Sequence, residues 1–312
     1  MVTGSPPLVV IAGATATGKT ELAIRLAESL SGGGHGRPVA IISADSRQVF
    51  RGLDIGTAKV GAADRARVPH HGLDLVDPDE SFSVADFARH ARAVLADLGA
   101  RGGLALLVGG TGLYLRTVAR GFPTDAIPTD ATMRAELEAD LVRDGLPALA
   151  ARLQASAPIL ASSVELANPR RVIRALEIAR LVGDGLRPAP RGYDGLVVWI
   201  GLAVDPDEHQ RRIVARARQQ FDDGLIEEAR TLRERYHPAL PAFSAIGYRE
   251  AWAVLDGALT RDAAIELDAA RNVAFSKRQR TWFRAEQDIE WLDATNSDPL
   301  APALEMVRRR IG

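Results

Sequence analysis

The chain has 312 residues, 46% hydrophobic and 25% charged, an ordinary balance for a folded protein and enough length for one large core or two domains. It has no cysteine, which excludes disulfides, thiolate nucleophiles and Cys-type zinc sites and suits a cytoplasmic location. With 39 basic against 40 acidic side chains the net charge is -1, so no global field advertises a nucleic-acid partner.

The amino terminus, MVTGSPPLVV, lacks a basic region followed by a long apolar run, and no stretch reaches about 18 consecutive apolar residues. The reading is a soluble, unexported protein with no membrane partner. Leu8 to Gly13, LVVIAG, suits a buried parallel strand, and Glu21 to Leu30 has the periodicity of an amphipathic helix. Between them GATATGKT, residues 13–20, fits the phosphate-binding pattern G-x-x-x-x-G-K-[ST], with strand, glycine-rich turn and helix in the required order. The candidate diphosphate-binding residues are Gly13, Thr15, Ala16, Thr17, Gly18, Lys19 and Thr20. Backbone N–H groups of residues 15–20 point at phosphate oxygens, helped by the positive end of the helix dipole. Lys19 adds a point charge, and Thr20 a hydroxyl for Mg²⁺.

The next apolar run, Pro38 to Asp45, reads as a second buried strand ending in a carboxylate. Strand ends in open α/β sheets face the ligand crevice, so Asp45 is a candidate base or magnesium partner; an Asp in a loop also serves as a cap or turn residue. The adjacent His70 and His71 point in different directions in regular structure, and no transition-metal site is read there. A third strand, LALLVGG from Leu104, ends in Gly109-Gly110-Thr111, where ordinary P-loop NTPases deliver a magnesium-holding Asp. The expectation is a loop that holds a diphosphate other than ATP. The glycines there are read as letting a ligand approach the backbone closely.

From Gly121 to about Gly195, prolines including Pro123, Pro128, Pro147, Pro158, Pro169, Pro188 and Pro190 punctuate helical segments rich in Ala, Leu and Arg. Residues 121–195 therefore read as a helical insertion dividing a core of 1–120 and 196–312. The chain returns through a segment that reads as a buried strand, Val197 to Val204, and amphipathic helices follow to the end. Only Lys19, Lys59 and Lys277 are lysines among the 39 basic residues, which suggests a task for each, or else chance survival on the surface. Arg170, Arg171 and Arg174 lie near one side of a helix, as do Arg212 and Arg216. Lys277, Arg280 and Arg284 share a face at i, i+3 and i+7. Beside that face Trp282 and Phe283 either stack on bases or pack the helix onto the core.

GATATGKT, SADSRQVF (43–50), DIGTAK (54–59), VPHHGLDL (68–75), FSVADF (82–87), LLVGGTGLYL (106–115), SAIGYRE (244–250) and KRQRTWF (277–283) together resemble the tRNA dimethylallyltransferase family, in order and over nearly the whole chain. The resemblance implies a P-loop NTPase-like parallel α/β sheet with an all-helical insertion. It implies transfer of a dimethylallyl group from dimethylallyl diphosphate to N6 of adenosine 37 beside the tRNA anticodon, with Mg²⁺ as cofactor, by a monomer. It further implies a channel through the core, donor and tRNA entering from opposite ends. Asp45 is then the base for the N6 proton, and Lys19, Thr20 and Arg216 stabilise the departing diphosphate. Contacts to the anticodon stem-loop fall to Asp45, Ser46, Arg47, Gln48, Thr111, Arg134, Asn168, Arg171, Ile246, Gly247, Tyr248, Arg249, Lys277, Arg278, Gln279, Arg280, Trp282 and Arg284. Departures include Ala14 for the usual Pro, Phe50 for Tyr, Gly72 within the His-His-Leu stretch, Asn168 for an acid, and Asn272-Val273 for Thr-Arg. The last leaves Arg271 as a substitute charge. The rivals are a P-loop kinase using ATP, a noncatalytic nucleic-acid-binding module, and a prenyltransferase acting on free adenine nucleotides.

Overall fold

The computed structural model describes residues 4–32, 37–124, 127–185 and 189–311. Within it six parallel strands form one sheet: β1 (Leu8–Gly13), β2 (Val39–Ser43), β3 (His70–His71), β4 (Leu104–Gly109), β5 (Val197–Ala203) and β6 (Ile289–Asp293), in the order β3-β2-β4-β1-β5-β6. The helices are α1 (Lys19–Ser31), α2 (Ala62–Arg67), α3 (Val84–Ala100), α4 (Gly112–Ala119), α5 (Ala131–Ser156), α6 (Pro158–Ser162), α7 (Pro169–Val182), α8 (Pro206–Asp222), α9 (Leu225–Arg235), α10 (Tyr248–Leu255), α11 (Arg261–Arg284) and α12 (Leu300–Ile311).

The central strands are apolar throughout because both faces of the sheet are covered. Val9, Ile11, Leu104, Leu106, Val198 and Ile200 meet Leu22, Ile24 and Leu26 of α1 and Met306 and Val307 of α12. The alternate residues Leu8, Val10, Ala105, Leu107 and Trp199 meet Phe87 and Leu95 of α3, Leu115 of α4 and Phe283 of α11. This period-two division of a continuous apolar run is the physical signature of a buried parallel sheet. A third cluster joins Phe50 and Leu53 to Phe221 of α8, Leu232 of α9, Trp252 of α10 and Ile265 of α11.

The strand readings at 8–13, 38–45, 104–110 and 197–204 correspond to β1, β2, β4 and β5. Two strands escape the pattern. β3 is two residues long and pairs only with β2, too short to carry a period. β6 lies on the sheet edge with mixed burial, so a segment read as helical surroundings instead pairs with β5. Helix α1 begins at Lys19, inside the glycine-rich motif.

The chain divides into two compact units, Met1–Gly121 with Gly192–Gly312, and Phe122–Arg191. The second unit has its own core of Leu137, Leu149, Leu153, Leu160, Val172 and Leu176. Its longest helix, α5, is broken at Gly145, whose φ of 79° is left-handed, just before Pro147. Pro188, one of the prolines that mark this unit in sequence, lies outside the described residues. Among the described residues no helix is long and apolar enough to cross a membrane.

Candidate functional site

The site forms where β1, β2 and β4 end. After β1 the chain turns through residues 13–18, with Ala16 and Gly18 in left-handed conformations of φ 60° and 90°. Thr17 Oγ1 donates to the Ala14 carbonyl at 3.0 Å, and Lys19 Nζ donates to the same oxygen at 2.5 Å. The loop is thereby pinned in a tight arch ahead of α1, whose first turn supplies the positive helix end. One expectation changes. The Thr15 N–H donates to Gln279 Oε1 at 2.9 Å, so it is committed to protein and not directed at phosphate.

Two cavities share the walls of this arch. A compact one of about 100 Å³ is lined by Thr15, Lys19, Thr20, Ser43, Asp45, Gln48, Arg216, Phe275 and Gln279 among others. A broader one of about 840 Å³ is lined by Ala16, Gly18, Lys19, Thr20, Ile55, Ala58, Lys59, Arg212 and Arg216 among others. Lys19, Thr20, Ala58 and Arg216 border both. The phosphate loop and its cations therefore stand between a small chamber containing Asp45 and a wider opening.

Electrostatics concentrate on the same residues. Burial pushes Lys19 down to about 7, the neighbouring Arg216 adds to the shift, and Asp45 opposes it. Arg216 is lowered chiefly by burial, against the pull of Asp45 and Asp268. Two cations held at a desolvation cost in one cavity call for an anion. Asp45 sits just beyond the end of β2, and its Oδ1 accepts from the Arg47 N–H at 2.8 Å, an Asx turn that fixes the carboxylate. The residue lines the compact chamber. Thr111 locks this strand end to the next, accepting from the Ser46 N–H at 3.1 Å and donating its own N–H to the Ala44 carbonyl at 3.2 Å.

Gly109 and Gly110 line the compact cavity, and close packing also requires glycine at the end of β4. A Cβ at Gly109 would lie 2.2 Å from the Ala44 carbonyl oxygen, one at Gly110 2.2 Å from Gln279 Nε2, and one at Gly112 2.3 Å from the Trp282 ring. Protein atoms already fill those spaces. Among the described residues no group of three His, Cys, Asp or Glu side chains is placed to hold a metal ion. Magnesium does not require one, since it binds through few protein oxygens and keeps phosphate and water ligands. The Thr20 hydroxyl beside the Lys19 cavity fits that donor set.

The chain matches the family model described as IPP transferase over residues 48–286. It is 42% identical to a tRNA dimethylallyltransferase of Roseiflexus sp. (strain RS-1), covering 98% of this chain and 99% of that one. It is 43% identical to that of Anaeromyxobacter dehalogenans (strain 2CP-C), covering 97% and 99%. Among solved structures it is similar to the full-length tRNA isopentenylpyrophosphate transferase from Bacillus halodurans, with a TM-score of 0.71 and 39% identity over 97% of this chain and 96% of that one. It is similar also to a eukaryotic dimethylallyltransferase acting on tRNA, with a TM-score of 0.76 and 26% identity over 94% and 75%.

The chain belongs to the IPP transferase family. That membership agrees with the motifs, and the fold is the P-loop NTPase-like sheet they implied.

The residues expected at the tRNA of an IPP transferase fall into two groups. Lys277, Arg278 and Arg284 are exposed on α11, as is Arg249 at the start of α10, with Arg280 partly exposed. Ser46, Arg47, Gln48, Thr111 and Ile246 are half-buried. Gln48 is tied by Ser43 Oγ, which donates to Oε1 at 2.8 Å, and by the Thr57 carbonyl, which accepts at 3.1 Å. The remaining expectations need correction for their side chains. Tyr248 is fully buried, and its hydroxyl donates to Glu228. Gly247 is buried beside Asp268 and Leu225. Gln279 is buried between Thr15 and Gly110. Trp282 packs over Gly112 with the Arg116 guanidinium 4.4 Å from its ring, and Phe283 is in the core.

In the second unit Arg134 and Arg174 both donate to the fully buried Glu177, at 2.8 and 2.7 Å. Arg174 thus leaves the basic cluster, whose exposed members are Arg170 and Arg171. Arg171 pairs with Glu165 at 3.2 Å, and Asn168 caps α7 by accepting from the Arg171 N–H. Arg271 is no substitute for a missing charge, because it pairs with the buried Glu250. Lys59 has a structural task, donating to the Phe50 carbonyl, Asp54 and Asp74. Sequence reasoning overlooked Phe275, which reaches the compact cavity from α11, and His209, whose Nε2 lies 2.7 Å from the Thr15 carbonyl oxygen. A single sequence carries no signal for either, since both depend on where α8 and α11 cross the phosphate loop.

Proposed function

We propose that the chain transfers a dimethylallyl group from dimethylallyl diphosphate to N6 of adenosine 37 in tRNA, releasing diphosphate. One observation carries this reading: Lys19, Thr20 and Arg216 share a single compact cavity with Asp45, an anion site next to a carboxylate, in a member of the IPP transferase family. β4 ends at Gly109 and is followed by Gly110-Thr111, not by the acid of an ATP-using P-loop enzyme, which weighs against the kinase reading.

The chemistry follows from these groups. An exocyclic adenine amine is a weak nucleophile because its lone pair is delocalised into the ring. As the N6–C1 bond forms, Asp45 takes the N6 proton, and the electron pair of the breaking C1–O bond leaves with diphosphate. Lys19, Arg216 and loop N–H groups stabilise the charge growing on that leaving group in a partly desolvated cavity. Thr20 would hold Mg²⁺, which would supply further neutralisation of the same charge. A base in a structured anticodon loop leaves its stack to reach such a chamber. The exposed basic residues of α11 fit the phosphates around it.

The test is incubation with Mg²⁺, dimethylallyl diphosphate and unmodified tRNA, followed by digestion and mass spectrometry for N6-dimethylallyladenosine, with AMP as a parallel acceptor. Product on tRNA supports the reading. Product on AMP alone moves the chain to nucleotide prenylation, and product on neither removes the assignment.

A further inference from the structure

Every polar atom of Thr15 is engaged by a residue from outside the phosphate loop. Its N–H donates to Gln279 Oε1 at 2.9 Å, its carbonyl oxygen meets His209 Nε2 at 2.7 Å, and its hydroxyl accepts from Arg216 Nη1 at 3.1 Å. His209 and Arg216 come from α8, and Gln279 from α11. Gln279 reaches further: its Nε2 donates to the Gly110 carbonyl at 3.0 Å, so one amide bridges the chain leaving β1 and the chain leaving β4. Gln279 is 7% exposed and His209 2% exposed, so water does not replace these bonds at low cost.

We propose that Gln279 and His209 are positioning residues for the donor diphosphate, acting through Thr15 to hold the phosphate loop in its binding shape. This rests on the reading of the cavity given above. Gln279 suits the task because a carboxamide offers one acceptor and one donor in a fixed plane, matched to the Thr15 N–H and the Gly110 carbonyl. A carboxylate would leave the Gly110 carbonyl without a donor and set a negative charge beside the incoming diphosphate. For His209, the carbonyl partner selects the tautomer with the proton on Nε2. Burial holds the ring below its ordinary value, the Thr15 bond opposes this, and Arg280, Lys19 and Arg212 reinforce it, so a neutral imidazole makes the contact. Gln279 also lies between Arg278 and Arg280 on the helix whose exposed face is basic. A sequence motif that reads as one tRNA footprint thus contains a residue facing the opposite way, toward the donor.

The two assignments for Gln279 predict opposite kinetics. If it positions the loop, Gln279→Met, which preserves length and fills the space, raises KM for dimethylallyl diphosphate about tenfold for two lost hydrogen bonds while tRNA Kd stays within about twofold. Gln279→Glu is worse than Gln279→Met for the donor. His209→Ala raises donor KM as well, and His209→Gln, which places an amide donor near Nε2, restores most of it. Inorganic diphosphate binding by calorimetry gives the same order without turnover, with thermal melting to confirm that each variant is folded. A tRNA Kd raised by Gln279→Met with unchanged diphosphate binding overturns the proposal, as does unchanged binding of both. Wild-type protein that binds diphosphate yet fails to prenylate tRNA defeats the functional reading and leaves the Thr15 clamp to be judged on diphosphate binding alone.

Discussion

The Tyr248 hydroxyl donates to Glu228 at 2.7 Å, and the Tyr248 ring occupies the space above Gly56, where a Cβ would come within 2.6 Å of it. Glu228 also accepts the backbone N–H groups of Asp54, Ile55 and Gly56 at 3.1, 2.7 and 3.1 Å. Two sequence motifs thereby form one device, a carboxylate from α9 gathering three successive amides of a loop that lines both cavities. Tyr248→Phe removes one hydrogen bond and keeps the packing, so unfolding in denaturant should show a loss of about 1 kcal/mol, with tRNA affinity within about twofold. Glu228→Ala strands three amides at once and should cost more. A Tyr248→Phe protein of full stability but with impaired tRNA binding would return that residue to the interface.

The half-buried ammonium of Lys19 has a pH consequence. Its folded value of about 7 lies below the ordinary 10.5, so between those limits the unfolded chain holds a proton that the folded chain lacks. Stability contributed by this group therefore rises with pH across that window and is flat on either side. An anion at Lys19 reverses the shift. Diphosphate binding at pH 8.5 should take up close to one proton, read as a dependence of calorimetric heat on the ionisation heat of the buffer. Lys19→Met should abolish that uptake; uptake of the same size in the variant would assign the proton elsewhere.

Asp45→Asn isolates the base. The amide oxygen still accepts from the Arg47 N–H, so the Asx turn that fixes residues 45–47 survives while basicity is lost. Single-turnover prenylation should slow by about two to four orders of magnitude, the usual range for a removed general base, with tRNA Kd changed no more than a few-fold. Turnover near the wild-type rate would exclude Asp45 from proton transfer.

Legibility in the sequence followed the range of the interactions. The phosphate loop was readable because strand, turn and helix are contiguous, and β1, β2, β4 and β5 because a strand covered on both faces is apolar throughout. Edge strand β6 has no fully buried residue and so carries no such mark. At the site, Asp45 was found through its place at a strand end. The protein partners of Gln279 and Trp282 were not readable because Thr15, Gly110 and Gly112 lie far away in the chain, and a Trp among arginines has one sequence pattern whether it faces RNA or a glycine. The buried Glu177 escaped notice in the same way: it occupies Arg134 from another helix and Arg174 from three residues along its own.

With Gln279 buried and Trp282 packed over Gly112, the expected α11 contacts that remain exposed are Lys277, Arg278 and Arg284, with the Arg278 guanidinium 5.8 Å from the Phe275 ring. Side chains of this kind bind phosphate through counterion release, so their contribution is independent of sequence and depends on salt. Lys277→Ala and Arg284→Ala should each weaken tRNA binding and lower the slope of log K against log[salt] by about 0.7 to 0.9, the increment for one phosphate contact. Trp282→Ala should instead lower the melting temperature by opening the contact with Gly112 and Arg116, and leave that slope unchanged. Fluorescence anisotropy titrations of labelled anticodon stem-loop between 50 and 200 mM salt separate the two classes. A slope unaltered by the basic substitutions but reduced by Trp282→Ala would invert the assignment and place the tryptophan, not the cations, at the RNA.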